Sequence, residues 1–454
     1  MKMPRFHLLF SPRLTLSRML GCMTTLLRAQ LFHTPKDPFV ESDALEVLDG
    51  AVAIQDDRIE AVGSVTELRQ QYPSAPLLGD GQDYLLPGFV DTHVHYPQQS
   101  VIGAMGLTLL DWLRERTLPE EARLVDAEHA RAVARRFVRA LARNGTTTAL
   151  VFGAHIPAAQ EIFFEEAEAS GLRLTSGLVL GDRLLHPALE ADAETSYRES
   201  ETLLTRWQGR GRLRYAVTPR FALSCSEAVL EAAGALLTRY PEAYFQTHLN
   251  ESKAEVETVA ELFPWAQDYL ATYERYGLVT ERSVFAHNVH VTDSELARLA
   301  TAGAAVAHCP SSNMFIGSGL FPLRQHLGHG VRVGLGSDVG GGTGFSLFKE
   351  GLMGYQGQML LPDGYPLSPA HLLYLATRAG ALALGLEDIG DLSPGRQADL
   401  LLVRPPDRST LAEVLAQSPS AEATLGALFT LAREESIREV FVAGEPILGR
   451  LEMA

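Results

Sequence analysis

Cysteine is scarce in this chain of 454 residues: Cys22, Cys225 and Cys309 lie far apart and form no Cys-x-x-Cys pair. That excludes a disulfide framework and a cysteine-built zinc site. Lysine is equally sparse, at Lys2, Lys36, Lys253 and Lys349 only. No apolar run reaches the roughly 18–20 residues of a membrane span, so a membrane partner is not expected. Positive charge is also short. The formal net charge of −16 makes a polyanion a poor match, which argues against nucleic acid as a partner. Low-complexity tracts and short repeats are missing. With 46% hydrophobic and 21% charged residues, the chain has ample material for a large core and is no disordered polymer. The expectation is a protein of a reducing compartment, the cytoplasm.

The charge is unevenly spread. Residues 1–36 carry Lys2, Arg5, Arg13, Arg18, Arg28 and Lys36 and no acid, so the remainder is more acidic than the total suggests. Two readings of this arm stay open: a targeting peptide, or an extension (1–22) ahead of a start at Met23. The second is the expectation here.

Strand-like apolar runs recur at 85–90, 146–152, 172–180, 213–217, 244–248, 283–287, 304–307 and 331–335, mostly separated by helical patterns. The clearest helix follows Asp126, a candidate N-cap: Ala130, Val133, Ala134, Phe137, Val138 and Leu141 recur at helical spacing. The arginines between them read as a solvated face. Eight strands alternating with helices predict an α/β fold, a (β/α)8 TIM-like barrel, over residues 87–390. Residues 23–86 and 391–454 read as short strands with turns. They are expected to pair as one small β-sandwich built from both chain ends.

The informative residues fall where predicted strands end, which in such a barrel is the active-site face. Residues 87–95 read PGFVDTHVH; His93 and His95, two apart on a strand, point the same way and can share a metal. A lone His-x-His supplies only half of a typical zinc shell. Residues 246–251, QTHLNE, add His248 and, overhanging from the loop, Glu251. His287 ends the sixth strand. Asp338 follows the eighth, in GLGSD, where a carboxylate can ligate metal and accept a proton. Three histidines and an aspartate on strands one, five and eight meet at one barrel mouth. No His-x-Glu…Pro-Cys-x-x-Cys signature occurs, which excludes the cytidine-deaminase type of zinc site. Gly340 to Gly344 (GGGTG) lacks the Lys-Ser/Thr pair of a phosphate loop and reads as a turn beside Asp338. His155, His186, His290, His308, His326, His329 and His371 read as structural or exposed.

From about Met23 to its C-terminus, the sequence resembles the amidohydrolase superfamily. PGFVDTHVH, THLNE, His287 and GSDVGGG match its mononuclear deaminase branch. His95 to Gln98 (HYPQ), Thr218 to Phe221 (TPRF) and His308 to Asn313 (HCPSSN) resemble the guanine-deaminating members.

The resemblance implies one zinc ion per chain, with Fe2+ as the alternative, held by His93, His95, His248 and Asp338. It implies substrate contacts from His95, Tyr96, Pro97, Gln98, Arg220, Phe221, His248, Leu249, Asn250, Glu251 and Asp338, and catalytic roles for Glu251, Asp338 and His287. Tyr96 departs from the family's smaller residue and is expected to reshape the pocket lip. Binuclear relatives bridge two ions with a carboxylated lysine ending strand four. Here that strand ends at Val217 to Arg220 without one, which favours one metal. The partner implied is a small purine base, and the assembly a homodimer.

The implied reaction hydrolyses guanine to xanthine and ammonia, in purine catabolism. Bound zinc lowers the pKa of a water toward roughly 7. Asp338 and His287 would take its proton, and Glu251 would protonate the ring nitrogen and the departing amine. Arg220 offers only donors, which suits guanine O6 and would reject an amine in that place by ~10⁴-fold or more. Gln98 can adapt its amide to the same edge, and Phe221 offers the ring an apolar face. The alternatives are an aminohydrolase of another azaheterocycle (8-oxoguanine, a pterin or a triazine) and a metal-free scaffold. The scaffold should have lost ligands that are present here.

Overall fold

A computed structural model describes residues 24–453. Residues 1–23, with Cys22 and the start at Met23, lie outside the described residues; Arg28 and Lys36 of the basic arm lie within them.

Eight parallel strands form the barrel: Phe89–His95, Thr146–Phe152, Arg173–Gly177, Arg214–Pro219, Tyr244–Leu249, Ser283–His287, Ala305–His308 and Arg332–Leu335. Each pairs with the next in chain order. The ring closes just past the eighth strand. Asp338 N donates to His93 O at 2.8 Å, and His95 N donates to Val339 O at 3.1 Å. The strands are buried on both faces, as a parallel sheet wrapped in helices requires, which is why they read as apolar runs without alternation.

The helices carry the caps their sequences advertise. Asp126 accepts from Glu128 N and His129 N to start Ala127–Arg143, whose expected apolar stripe is buried. Arg131 and Arg135 point outward and pair with Glu165 and Glu166 on the next helix, so the arginine-rich face is solvated and ion-paired.

Three boundaries differ from expectation. The first run does not form one strand over 85–90. Tyr84–Pro87 pairs antiparallel with Leu400–Val403, and the barrel strand starts afresh at Phe89, placing His93 and His95 inside it rather than beyond its end. Gly88 makes the break: its N–H donates to Asp399 O at 2.9 Å, and a Cβ there would lie 2.3 Å from Thr147 Cγ2. The third run divides into Arg173–Gly177 and Val179–Leu180, both paired with the fourth barrel strand. Residues 391–454 are not purely β. Thr410–Ala416 and Ala421–Leu431 are helices capped by Ser409 and Ser420. The second of them packs Phe429 edge-on against Phe348 of a barrel helix, because Leu425, Leu428 and Phe429 recur at helical spacing.

The two chain ends do come together, hydrogen-bonded into a single mixed sheet of eight strands. Its order is Glu445–Pro446, Ile437–Val442, Leu400–Val403, Tyr84–Pro87, Thr25–His33, Glu46–Gln55 and Arg58–Gly63, with Leu77–Leu78 also against Thr25–His33. Leu31, Val52 and Ile54 from one end share a core with Leu400, Leu402 and Phe441 from the other. Ion pairs dock the sheet on the barrel, as where Arg173 of the third barrel strand meets Asp399 at 2.6 Å.

Candidate active site and metal centre

His93 and His95 leave the first barrel strand on the same side. His95 Nε2 lies 3.1 Å from His93 Nε2 and 3.3 Å from His248 Nε2. Asp338 Oδ1 is 3.3 Å from His93 Nε2 and 3.2 Å from His95 Nε2. All four ligand atoms lie within 4.8 Å of one another, and all four residues are buried. A tetrahedral ion with ligands at 2.0–2.1 Å requires ligand–ligand edges of about 3.3–3.4 Å. Four of the six edges, at 3.1–3.3 Å, come close to that, so the cluster suits a metal ion. His248 Nδ1–H donates to Arg220 O at 2.6 Å, which fixes the tautomer and leaves Nε2 free to ligate. Burial lowers His95 to about 3, and His248 well below the ordinary histidine range, so both imidazoles are neutral as ligands must be. Burial alone would raise Asp338; the imidazoles of His93 and His95 beside it outweigh that and hold the carboxyl well below the usual range.

Asp338 divides its two oxygens. Oδ1 faces the histidine cluster, while Oδ2 lies 3.7 Å from His287 Nε2. His287 Nδ1–H donates to Asn313 Oδ1 at 2.8 Å, so its Nε2 lone pair faces Asp338 and, at 3.5 Å, Glu251 Oε2. Burial lowers His287 to about 4, which keeps that nitrogen an acceptor at neutral pH. Glu251 is raised well above the carboxylate range by burial, then by the negative charges of Glu255 and Asp338. The two carboxyls are pushed in opposite directions, Asp338 down and Glu251 up, the divergence that acid–base chemistry at a single centre needs.

Local backbone places these groups. Asn250, His287, Asn288 and Asp338 all adopt positive φ, between 45° and 70°, where the chain turns off a strand. Asn, Asp and His are the residue types enriched in that region. Glu255 Oε2 accepts from Glu251 N at 2.9 Å and from Ser252 N at 3.2 Å, which ties the Glu251 loop to the capped start of the helix Lys253–Leu262. Gly340 N donates to Gln98 Oε1 at 3.2 Å, and a Cβ on Gly340 would sit 2.5 Å from Gln98 O. The glycine run is therefore a close-packed turn behind Asp338, as its sequence suggested.

A small cavity opens above the cluster. Of the residues expected at the site, His95, Gln98, Arg220, Phe221, His248, Glu251, His287 and Asp338 line it. Tyr96, Pro97, Leu249 and Asn250 do not. Tyr96 stacks on Phe163 and donates its hydroxyl to Ala159 O, behind the wall rather than at the lip. Asn250 Nδ2 donates to Asn288 Oδ1 and Glu295 Oε1 on the far side of its loop.

The structure adds residues that sequence patterning passed over. Leu109, Trp112, Leu113 and Ile316 form the apolar wall of the cavity. The first three come from an irregular helical stretch, Leu109–Val125, that no predicted barrel element includes. Glu121 from the same stretch pairs with Arg220 at 2.7 Å, and His155 Nε2 lies 3.3 Å from the same guanidinium nitrogen. The only signal for His155 is its position just past the second barrel strand, on the rim that carries the chemistry.

Comparison with known proteins identifies relatives of this chain. The amidohydrolase family profile matches residues 84–447. A bacterial imidazolonepropionase-like composite domain profile matches residues 50–75. A probable guanine deaminase of Deinococcus radiodurans is 54% identical over 431 residues, which is 93% of this chain and 98% of that protein. The structure of E. coli guanine deaminase superposes with a TM-score of 0.90 at 37% identity, covering 93% of this chain and 99% of that one. Guanine deaminase from C. acetobutylicum, solved with guanine in its active site, gives a TM-score of 0.87 at 26% identity over 93% and 100% of the two chains. With a matching profile across the barrel and a His-His-His-Asp cluster able to hold a metal at its mouth, this chain belongs to the amidohydrolase family.

Proposed function

We propose that this chain hydrolyses guanine to xanthine and ammonia, a step in purine catabolism. The observation that carries the proposal is the joint geometry at one cavity: a His-His-His-Asp cluster, a proton-holding Glu251, and a buried Arg220 beside Gln98. Its relatives of guanine-deaminase type support it.

His93, His95, His248 and Asp338 would hold the ion. Three imidazole nitrogens and one carboxylate suit zinc, with Fe2+ as the alternative. The ion supplies Lewis-acid activation of the hydrolytic water. The chain's own groups do the rest. Hydrolysis forms a bond from the water oxygen to C2 of guanine and breaks the bond from C2 to the exocyclic nitrogen. Asp338 Oδ2 and His287 Nε2 face each other and accept the water's proton. Glu251 gives its proton to the ring nitrogen beside C2, takes the remaining proton from the attacking oxygen as C2=O forms and passes it to the departing amine; the proton held by Asp338 and His287 then returns to Glu251. Arg220 directs N–H groups at O6, Gln98 meets the adjoining edge, and Phe221 with Trp112 and Leu109 encloses the ring and excludes water.

The assembly proposed is a homodimer. Met359 and Leu360, exposed at the end of the helix Leu347–Leu360, are in keeping with a covered face. The compartment proposed is the cytoplasm, in keeping with the free, buried Cys225 and Cys309. Among the described residues, no helix is long and apolar enough to cross a membrane.

The test is incubation with guanine, reading xanthine and ammonia with and without a chelator, beside 8-oxoguanine, a pterin and a triazine. Chelator-sensitive xanthine formation supports the reading. Ammonia released only from another azaheterocycle would replace it.

A further inference from the structure

Glu121 takes no part in the chemistry above and does not line the cavity, yet three rim segments converge on it. It is buried, 4% exposed, in the helix Leu118–Ala122. Its Oε2 accepts from Arg220 Nη1 at 2.7 Å, and its Oε1 accepts from Gln98 Nε2 at 2.8 Å. His155 Nε2 lies 3.6 Å from the same Oε2. Gln98 follows the first barrel strand, His155 the second and Arg220 the fourth.

Two physical consequences follow. The first concerns charge. Arg220 is 3% exposed, and a guanidinium so buried is costly without a counter-charge. Among the described residues, Glu121 is the carboxylate that pairs with it. The second concerns orientation. A glutamine amide can present either end to a ligand, but a carboxylate only accepts and a backbone N–H only donates. Glu121 Oε1 on one side and Gly340 N on the other fix which end of Gln98 faces where. The helical stretch that carries Glu121 also carries Leu109, Trp112 and Leu113, so the apolar wall and the polar clamp are one piece.

We propose that Glu121 is a positioning residue for purine recognition, holding Arg220 and Gln98 in the pose that reads the oxygen-bearing edge of guanine without itself touching the base. The proposal rests on the guanine reading above. It is tested with E121Q, R220M and the double variant E121Q/R220M, in which both buried charges are gone. KM and kcat for guanine, calorimetric Kd for guanine and thermal melting are measured for each.

The expected result is a rise in KM and Kd of at least about tenfold for E121Q, with kcat changed far less. The double variant should bind guanine little worse than R220M alone, because Glu121 acts through Arg220. E121Q with wild-type KM and Kd, or losses that multiply in the double variant, would overturn the proposal. Should E121Q not fold, E121D keeps the charge but draws it back by one methylene. It should fold and show the same KM rise, and a wild-type KM would leave Glu121 a structural role only. Wild-type protein that neither binds guanine nor releases ammonia from it fails the guanine reading and takes this proposal with it; a wild-type-like E121Q fails this proposal alone.

Discussion

Replacing Glu251 by glutamine removes a proton carrier while changing little else. Glu251 is 3% exposed, and burial with the charges of Glu255 and Asp338 raises its carboxyl well above the ordinary range. That direction favours the protonated form that the reaction asks it to supply. Glutamine has the same shape and hydrogen-bonding reach but no proton to give. A positioned general acid–base contributes roughly 10²–10⁴ in rate, about 3–5 kcal/mol of barrier. E251Q is expected to lose kcat by that factor with KM for guanine close to wild type, measured by xanthine formation at fixed pH. The fold should survive. A carboxyl whose folded pKa is raised contributes stability that is fully present below its unfolded pKa and lost as pH rises through the folded value. Removing it should make E251Q gain on wild type in melting temperature as pH rises. Turnover of E251Q within about tenfold of wild type would refute the proton-transfer role. E255Q separates chemistry from loop geometry, since its amide oxygen can still accept from Glu251 N and Ser252 N, as Glu255 Oε2 does now. With the loop bonds kept, a loss in E255Q as deep as in E251Q would assign the effect to the Glu255 charge rather than to the Glu251 proton.

Three further outcomes follow from the same geometry. R220A should lower the preference for guanine over 2-aminopurine, which lacks the oxygen, by about 10- to 100-fold in kcat/KM; an unchanged ratio would remove Arg220 from recognition. Chelation should abolish xanthine formation and added zinc should restore it, with one ion per chain by elemental analysis; two ions would contradict the mononuclear reading. Glu350 is buried and pushed up to about 8, with its Oε2 accepting from Ser311 N at 2.9 Å. Its folded pKa is raised, so wild-type stability should fall as pH climbs from about 4.5 to about 8, by a few kcal/mol at most. E350Q, whose oxygen can accept the same bond, should flatten that decline in melting temperature; an unchanged slope would show that Glu350 does not titrate in that window.

The barrel and its metal cluster were legible because both leave local marks. Parallel strands buried on both faces are short apolar runs, and His93, His95, His248 and Asp338 stand at strand ends where few polar side chains have a packing role. The recognition shell left weaker marks. Glu121 sits among other acids in an irregular helical stretch, and only the fold brings it to Arg220 across 99 residues of sequence. Leu109, Trp112 and Leu113 look like any small apolar cluster until the cavity beneath them is known. The helices Thr410–Ala416 and Ala421–Leu431 were missed because strand signals on either side, at 395–403 and 438–444, drew the whole segment toward β. Tyr96, Pro97, Leu249 and Asn250 were expected at the cavity because the resemblance implied contact along the whole segments 95–98 and 248–251. On a strand, neighbours point to opposite sides, and past its end the backbone turn decides.

That turn explains why the chemistry collects where it does. His93, His95 and His248 reach the site from the strands themselves; groups carried past a strand end reach it where the backbone leaves the extended region. His287 and Asp338 do so at φ 70° and 45°. Positive φ is costly for most residues and least so for Asn, Asp and His, which include the types that ligate metal and move protons. The surrounding bonds hold the strain. Asp338 N is committed to His93 O, and Ser337 N donates to Asp91 Oδ1 at 3.0 Å, so the strained corner is pinned to the first strand on both sides. Asp91 Oδ1 also accepts from His93 N at 3.2 Å. The contacts that close the barrel are thus the contacts that set His93 and Asp338 at ligand distance. A site assembled this way cannot form before the first and eighth strands meet, and so the metal cluster is a consequence of ring closure rather than of any local segment.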